Sequence, residues 1–147
     1  MRIVTADEAV SLLCDGDTLM ISGSGAGHAT PEALLEALER RYQVQNSPRQ
    51  LTAFHPVGLG DRTFRGASRL AYPGLLKRVV CGTLVDSPPL AKMALNNEIE
   101  AWTLPQGGTL AIDPRNGRRS TWSDKPCRAA YLRRSSSTRR SAKRVLF

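Results

Sequence analysis

Hydrophobic positions near the start of the chain predict a short helix followed by a buried strand. The segment Thr5-Ala6-Asp7-Glu8 has the form of a capping box, in which a hydroxyl at the N-cap is followed three residues later by a carboxylate. A helix through Leu12 and Leu13 is therefore expected, with Ala9, Leu12 and Leu13 on its buried face. Residues 18–22 contain three apolar positions in a row, which is typical of a strand buried on both faces.

A second helix is predicted after a glycine-rich connection. Thr30 is expected to cap this helix, with Pro31 at its first position. Leu34, Leu38 and Tyr42 recur every fourth residue and form an apolar stripe, and the charged residues Glu36, Glu39 and Arg40 lie outside it.

The remainder of the first hundred residues continues the alternation. Residues 51–55, 79–81 and 101–104 suit strands, and a helix opening at Pro88 or Pro89 separates the last two. Alternating strands and helices favour the α/β class with a parallel, doubly wound sheet. Right-handed crossovers would place the loops that follow the strands at one end of that sheet.

Charge divides the 147-residue chain into a neutral body and a basic tail. Residues 1–107 hold ten basic residues (Lys and Arg) and eleven acidic ones (Asp and Glu). Residues 108–147 hold eleven basic residues and two acidic ones, so the formal charge of +8 comes from the tail. We interpret residues 1–107 as an α/β segment, 108–126 as a junction and 127–147 as a disordered basic tail, because that last segment holds seven Lys and Arg and no acidic residue.

The glycine-rich loop between the first strand and the second helix is the first candidate for chemistry. Glycines let backbone N–H groups approach a ligand, and a following helix N-terminus favours negative charge. A tight turn without a ligand is an equally open interpretation. The spacing fits neither a dinucleotide-binding fingerprint nor a P-loop. The residues concerned are Gly23, Ser24, Gly25 and Gly27.

The histidines, the cysteines and the glutamates near residue 100 indicate no catalytic or metal site. His28 and His55 lack a partner at metal-ligand spacing, and His55, at a strand end, suggests a loop-capping role. Glu98 and Glu100 suggest solvated charges. Three widely spaced cysteines indicate neither a metal site nor a disulfide framework. No signal peptide or membrane-length apolar run is visible, so a cytoplasmic location with no membrane partner is expected.

Four segments, taken together, resemble the first half of family I CoA-transferases, and among them the propionate or acetate CoA-transferase group that fuses both halves in one chain. Asp15-Gly16-Asp17-Thr18, followed by an apolar triplet and a glycine loop, is similar to the family's opening motif, although the loop lacks the stricter Gly-Gly-Phe form. The matching segments span 22–34, 47–52, 74–79 and 97–107.

The resemblance implies a transferase that moves CoA between a short-chain acyl-CoA and a carboxylate, such as acetate, propionate or a 3-ketoacid. In the family a glutamate attacks the thioester, and this glutamate lies in the second half, to which no position here corresponds. The resemblance therefore implies no catalytic residue in this chain. It implies CoA as substrate with no bound cofactor, an oligomeric enzyme, and Gly23, Ser24, Gly25 and Gly27 as part of the active-site wall.

Several hypotheses follow for the whole chain. It is a truncated transferase half, silent alone, whose basic tail results from a frame shift or a deletion near residue 107; or it is a subunit that takes the glutamate from a partner chain. A basic nucleic-acid-associated protein is the alternative from another class, although the tail has no aromatic–basic interleaving beyond Tyr131. A further hypothesis is a different enzyme on a related fold, such as a sugar-phosphate isomerase.

Overall fold

A computed structural model describes residues 3–23 and 28–105, together with the backbone of residues 145–146. Strands and helices alternate along the chain, which confirms the α/β class. The elements are α1 (Ala6–Val10), β1 (Thr18–Met20), α2 (Glu32–Gln45), β2 (Leu51–His55), a 3₁₀ helix (Gly66–Leu70), β3 (Leu76–Cys81), α3 (Pro88–Leu95), β4 (Glu100–Thr103) and β5 (Val145–Leu146).

The strands form one sheet in the order β4-β3-β2-β1-β5, and every neighbouring pair is parallel. Residues Thr18, Thr52, Arg78 and Glu100 lie side by side across the four longer strands. All four strands therefore begin at the same end of the sheet and finish at the other. We call these the amino end and the carboxyl end of the sheet.

The hydrophobic core lies on one face of the sheet. Side chains alternate along each strand, so Leu19, Ala53 and Val79 share the face that packs against the helices, and all three belong to the main core cluster. Buried residues of α1, α2, the 3₁₀ helix and α3 belong to the same cluster. A second helix layer, as a doubly wound sheet would have, is not among the residues that the structure describes.

Helix α1 begins as predicted and ends early. The Thr5 hydroxyl accepts a hydrogen bond from the Glu8 N–H at 3.2 Å, and the Glu8 carboxylate accepts one from the Thr5 N–H at 2.8 Å. The helix ends at Val10, so the expectation that it continues through Leu12 was wrong. Val10 and Leu13 are buried, whereas Leu12 is 66% exposed, because the turn after Val10 takes Leu12 off the buried face.

Helix α2 begins without the predicted cap. Pro31 is its N-cap residue and makes no side-chain cap hydrogen bond, so the assignment of that role to Thr30 was wrong. Leu38 and Tyr42 of the predicted stripe are buried and Leu34 is partly buried. The helix ends at Gln45, and its C-cap residue Asn46 has a φ of 52°, the left-handed conformation that asparagine tolerates.

The C-terminal predictions fall mostly outside the described residues. Val145–Leu146 form the two-residue strand β5 beside β1, so these two positions depart from the predicted disorder. For the rest of 127–147 and for the junction 108–126 the predictions stay predictions. Within the described ranges, no helix is long and apolar enough to cross a membrane.

Candidate functional site

The loops that follow β1, β2 and β3 leave the sheet together at its carboxyl end. Backbone pairing continues into the first residue after β1 and after β3: the Ile21 N–H donates to the Phe54 carbonyl at 2.9 Å, and the Gly82 N–H donates to the His55 carbonyl at 3.2 Å. Parallel α/β proteins bind ligands at this end of the sheet, because the loops there converge. These loops therefore form the candidate site.

Gly23 lies at the start of the glycine loop, where its two sides come together. A β-carbon built at Gly23 would lie 3.6 Å from the carbonyl oxygen of Ala29 and 3.8 Å from the Cα of Thr30. It would lie only 2.5 Å from Cδ1 of Leu59, in the loop after β2. Glycine at position 23 therefore permits close packing against Leu59. Ser24, Gly25 and Gly27 lie outside the described residues, so the role predicted for the whole loop stays a prediction.

Two further glycines let the loop after β2 press against the loop after β3. A β-carbon at Gly58 would lie 2.1 Å from Oδ2 of Asp86, and one at Gly60 would lie 2.2 Å from the Asp86 carbonyl oxygen. These contacts leave no space for a side chain. Gly58 and Gly60 are therefore explained by loop packing alone.

The carboxylates at this end of the sheet are already engaged. Asp61 accepts hydrogen bonds from the Thr63 N–H at 2.9 Å and the Arg65 N–H at 3.2 Å, and the hydrogen bonds from Thr63 lower the pKa of Asp61. Asp86 faces Arg62, with 3.5 Å between Oδ1 and Nε. Both carboxylates hold loop conformation, which leaves neither placed as a free nucleophile.

His55 ends β2 and is buried, with 1% of its surface exposed. Its Nδ1 lies 2.6 Å from the carbonyl oxygen of Val57, so the predicted loop-capping role is confirmed by this contact. Burial lowers the pKa of His55, and the ring is neutral at pH 7. His28, in contrast, is exposed in the glycine-loop turn.

The structure separates Glu98 and Glu100 from the glycine loop. Glu100 is the first residue of β4, at the amino end of the sheet, whereas Gly23 follows the carboxyl end of β1. Glu100 pairs with Arg78, with 2.6 Å between Oε2 and Nη2, and accepts the Trp102 indole N–H at 2.8 Å. The hypothesis of solvated charges fits both residues, since Glu98 is also exposed.

The part of the chain that the structure describes contains no metal centre, and its buried thiol, Cys81, is not activated. That part contains no group of three or more His, Cys, Asp or Glu side chains able to hold a metal ion. Burial raises the pKa of Cys81 to about 11, so this thiol is protonated at neutral pH. A surface cavity of about 320 Å³ lies between α1 and α2, bordered by Asp7, Val10 and Val44, and is separate from the loops of the candidate site.

Leu59 was missed by sequence reasoning. It is fully buried, and it joins the loop after β2 to the glycine loop, the 3₁₀ helix and the segment before α3. The flanking glycines in Gly58-Leu59-Gly60 were the available signal, because paired glycines mark close backbone approach on both sides of the residue between them.

The parallel sheet with its helices defines an α/β protein, and comparison with known proteins defines the family. The family model described as "Coenzyme A transferase" matches residues 3–112. This chain belongs to the coenzyme A transferase family. The match extends five residues beyond position 107, where the sequence pattern placed the end of the α/β segment.

Curated relatives are much longer than this chain. It is 40% identical over 105 residues to an acetate CoA-transferase, YdiF, of Escherichia coli K12, covering 71% of this chain and 20% of the relative. It is 26% identical over 106 residues to the caffeate CoA-transferase of Acetobacterium woodii, covering 72% and 20%. The chain thus spans about a fifth of the length of these relatives.

Solved structures support the same assignment. The crystal structure of the acyl-CoA transferase YdiF from E. coli O157:H7, as a thioester complex with CoA, is similar with a TM-score of 0.69 and 40% identity. The apoenzyme gives a TM-score of 0.67 and 38% identity. These structures are covered to 20% and 21% of their length, and this chain to 71% and 72%.

Proposed function

We propose that this chain provides the glycine-loop side of a CoA-transferase site that moves CoA between a short-chain acyl-CoA and a carboxylate. The observation that carries the proposal is the family match over residues 3–112. The position of Gly23 at the carboxyl end of the sheet supports it, because loops there are where parallel α/β proteins bind ligands.

In the proposed reaction, a glutamate attacks the acyl-CoA thioester and forms an acyl-glutamyl anhydride, releasing the CoA thiolate. The thiolate then attacks the glutamyl carbonyl, which frees the first carboxylate and leaves a glutamyl-CoA thioester. A second carboxylate collects the CoA by the reverse steps. This is covalent catalysis by a carboxylate. Backbone N–H groups of Gly23 and its neighbours Ser24, Gly25 and Gly27 support the oxyanion that develops at the thioester carbonyl.

The nucleophile comes from the second half of the transferase, which acts as partner to this chain. The described carboxylates argue against a local nucleophile, since Glu100 is ion-paired at the amino end of the sheet and Asp61 and Asp86 hold loops. The proposed substrates are acyl-CoA and acid pairs of the acetate, propionate or 3-ketoacid type. The proposed setting is the cytoplasm, with an oligomeric assembled enzyme, and a shifted reading frame is the proposed origin of the basic tail.

The test is complementation. The purified chain is incubated with propionyl-CoA and acetate, with and without the part of E. coli acetate CoA-transferase that follows the matched segment. Acetyl-CoA formation is expected only in the mixture, because only the mixture contains the nucleophile. Turnover by the chain alone that Glu98→Gln or Glu100→Gln abolishes would contradict the proposal. The DNA read in three frames beyond codon 107 tests the origin of the tail.

A further inference from the structure

Leu59 contacts Gly23 at the start of the glycine loop. We define the loop neck as Gly23, Ala29 and Leu59. Within this neck, Cδ1 of Leu59 lies 2.5 Å from the position of a β-carbon at Gly23, while the next nearest described atoms are at 3.6 Å and 3.8 Å. Leu59 is therefore the described side chain that packs most closely on Gly23.

The backbone of Leu59 is held by two other segments, the 3₁₀ helix and the residues just before α3. Its carbonyl oxygen accepts the Ala67 N–H of the 3₁₀ helix at 2.8 Å and the Ser87 hydroxyl at 2.9 Å, just before α3. The flanking residues Gly58 and Gly60 press against Asp86. Leu59 cannot shift without displacing the 3₁₀ helix or the start of α3, so its side chain is a rigid support for the loop neck.

We propose that Leu59 is a positioning residue, which sets the place of the glycine loop relative to the bound acyl-CoA. This proposal rests on the proposed function, which assigns the loop to the site wall. Leu59 touches neither the substrate nor the reacting atoms. It acts through Gly23, three residues after the end of β1, and a shorter side chain at position 59 would let Gly23 settle toward the loop after β2.

The first experiment tests the contact by a double-mutant cycle. The φ of Gly23 lies outside the left-handed region, so alanine there meets only the Leu59 clash among the described neighbours. Gly23→Ala is expected to lower the urea midpoint when position 59 is leucine. Gly23→Ala is expected to have little effect on the urea midpoint when position 59 is valine. Leu59→Val removes both Cδ atoms, and it is mild enough to fold if Leu59→Ala does not. An additive cycle overturns the proposal.

The second experiment tests positioning by CoA affinity, measured calorimetrically on the full chain. Leu59→Val is expected to weaken CoA binding about tenfold, the change that a displaced contact of modest energy produces. Leu59→Met, which conserves volume, is expected to restore near wild-type affinity. Leu13→Val is the matched control, because Leu13 is equally buried but precedes β1 at the amino end of the sheet.

The outcomes separate this proposal from the function on which it rests. Equal affinities for Leu59→Val and Leu13→Val would overturn the positioning role. If the wild-type chain does not bind CoA, the loop's assignment to the site fails for this chain. Deuterium exchange of residues 21–30 then decides the role of Leu59: faster exchange in Leu59→Val than in Leu13→Val supports it, and equal exchange overturns it.

Discussion

The Nδ1 atom of His55 lies 2.6 Å from the carbonyl oxygen of Val57, two residues further along the chain. A carbonyl oxygen can only accept, so Nδ1 carries the proton in the neutral ring and Nε2 does not. Nε2 is buried without a hydrogen-bond partner among the described residues. The contact closes the turn that leads from β2 into the loop containing Leu59, and the neutral ring can make it because Nδ1 keeps its proton.

This arrangement predicts stability that falls on mild acidification. Burial lowers the pKa of His55 in the folded protein, so below the ordinary value of about 6.5 the unfolded chain binds more protons than the folded one. The urea midpoint is expected to fall between pH 7 and pH 5. His55→Asn retains an N–H donor near the position of Nδ1 and should remove most of this dependence. The exposed His28 provides the control, and a His28→Asn variant should retain the pH dependence of the urea midpoint. An unchanged pH slope in His55→Asn would exclude His55 as the cause.

Arg69 joins the 3₁₀ helix to α2. Its Nε donates to Glu32 Oε1 at 2.6 Å, and its Nη1 donates to Glu39, which also accepts the Tyr72 hydroxyl at 2.7 Å. Only 16% of the Arg69 side chain is exposed, so these contacts are largely shielded from water. Both carboxylates raise the pKa of Arg69, the hydrogen bond to Glu32 most strongly.

Removing this guanidinium is expected to destabilise the fold. Arg69→Ala leaves two partly buried carboxylates without their donor, which should cost about 1.5–3 kcal/mol of unfolding free energy. Urea denaturation followed by circular dichroism measures it. Arg40→Ala is the comparison, since Arg40 pairs with Asp7 in an ion pair whose side chains are 56% and 67% exposed, and little change is expected there. Equal losses of unfolding free energy in Arg69→Ala and Arg40→Ala would show that shielding from water does not strengthen the Arg69 contacts.

Ser87 provides a smaller and more local test of the packing at the carboxyl end of the sheet. The residue before the Pro88-Pro89 pair would ordinarily cap α3, but its hydroxyl donates instead to the Leu59 carbonyl. Ser87→Ala should cost about 1 kcal/mol, because the carbonyl retains its second donor from Ala67. Ser11→Ala is the matched control, as the Ser11 hydroxyl is exposed and donates to Glu8. The difference between their urea midpoints measures the buried hydrogen bond.

The strands were predictable where short-range pattern determines them. Residues 51–55 were predicted and observed as β2, because Leu51, Ala53 and Phe54 are apolar and buried in the sheet. Strand β3 begins earlier than expected, at Leu76, since Lys77 and Arg78 interrupt the apolar pattern. Arg78 is stabilised in the strand by Glu100 of β4, a partner 22 residues away that local pattern cannot reveal.

The candidate site was predictable in position and not in its contacts. Parallel topology alone places Gly23 at the carboxyl end of the sheet, and that part of the expectation is confirmed by the strand pairing. The packing of Leu59 on Gly23 joins residues 36 positions apart and depends on how three loops meet. Thr30 shows the same limit, because its hydroxyl was expected at a helix cap and lies instead buried without a partner among the described residues.

Ala29 is a final test of the loop neck, because its backbone adopts a conformation that alanine disfavours. Its φ is 50°, in the left-handed region where a β-carbon crowds the backbone, at a cost of about 1–2 kcal/mol. Ala29→Gly should therefore raise the unfolding free energy, offset in part by the greater freedom of glycine in the unfolded chain. Ala33→Gly, at an exposed position within α2, should lower the unfolding free energy by about 0.5–1 kcal/mol. Effects of opposite sign, measured by urea denaturation, are the expected result. A loss of stability in both variants would mean that the contacts around Ala29 contribute more than its backbone strain costs, and that the loop neck relies on the alanine methyl group as well as on Leu59.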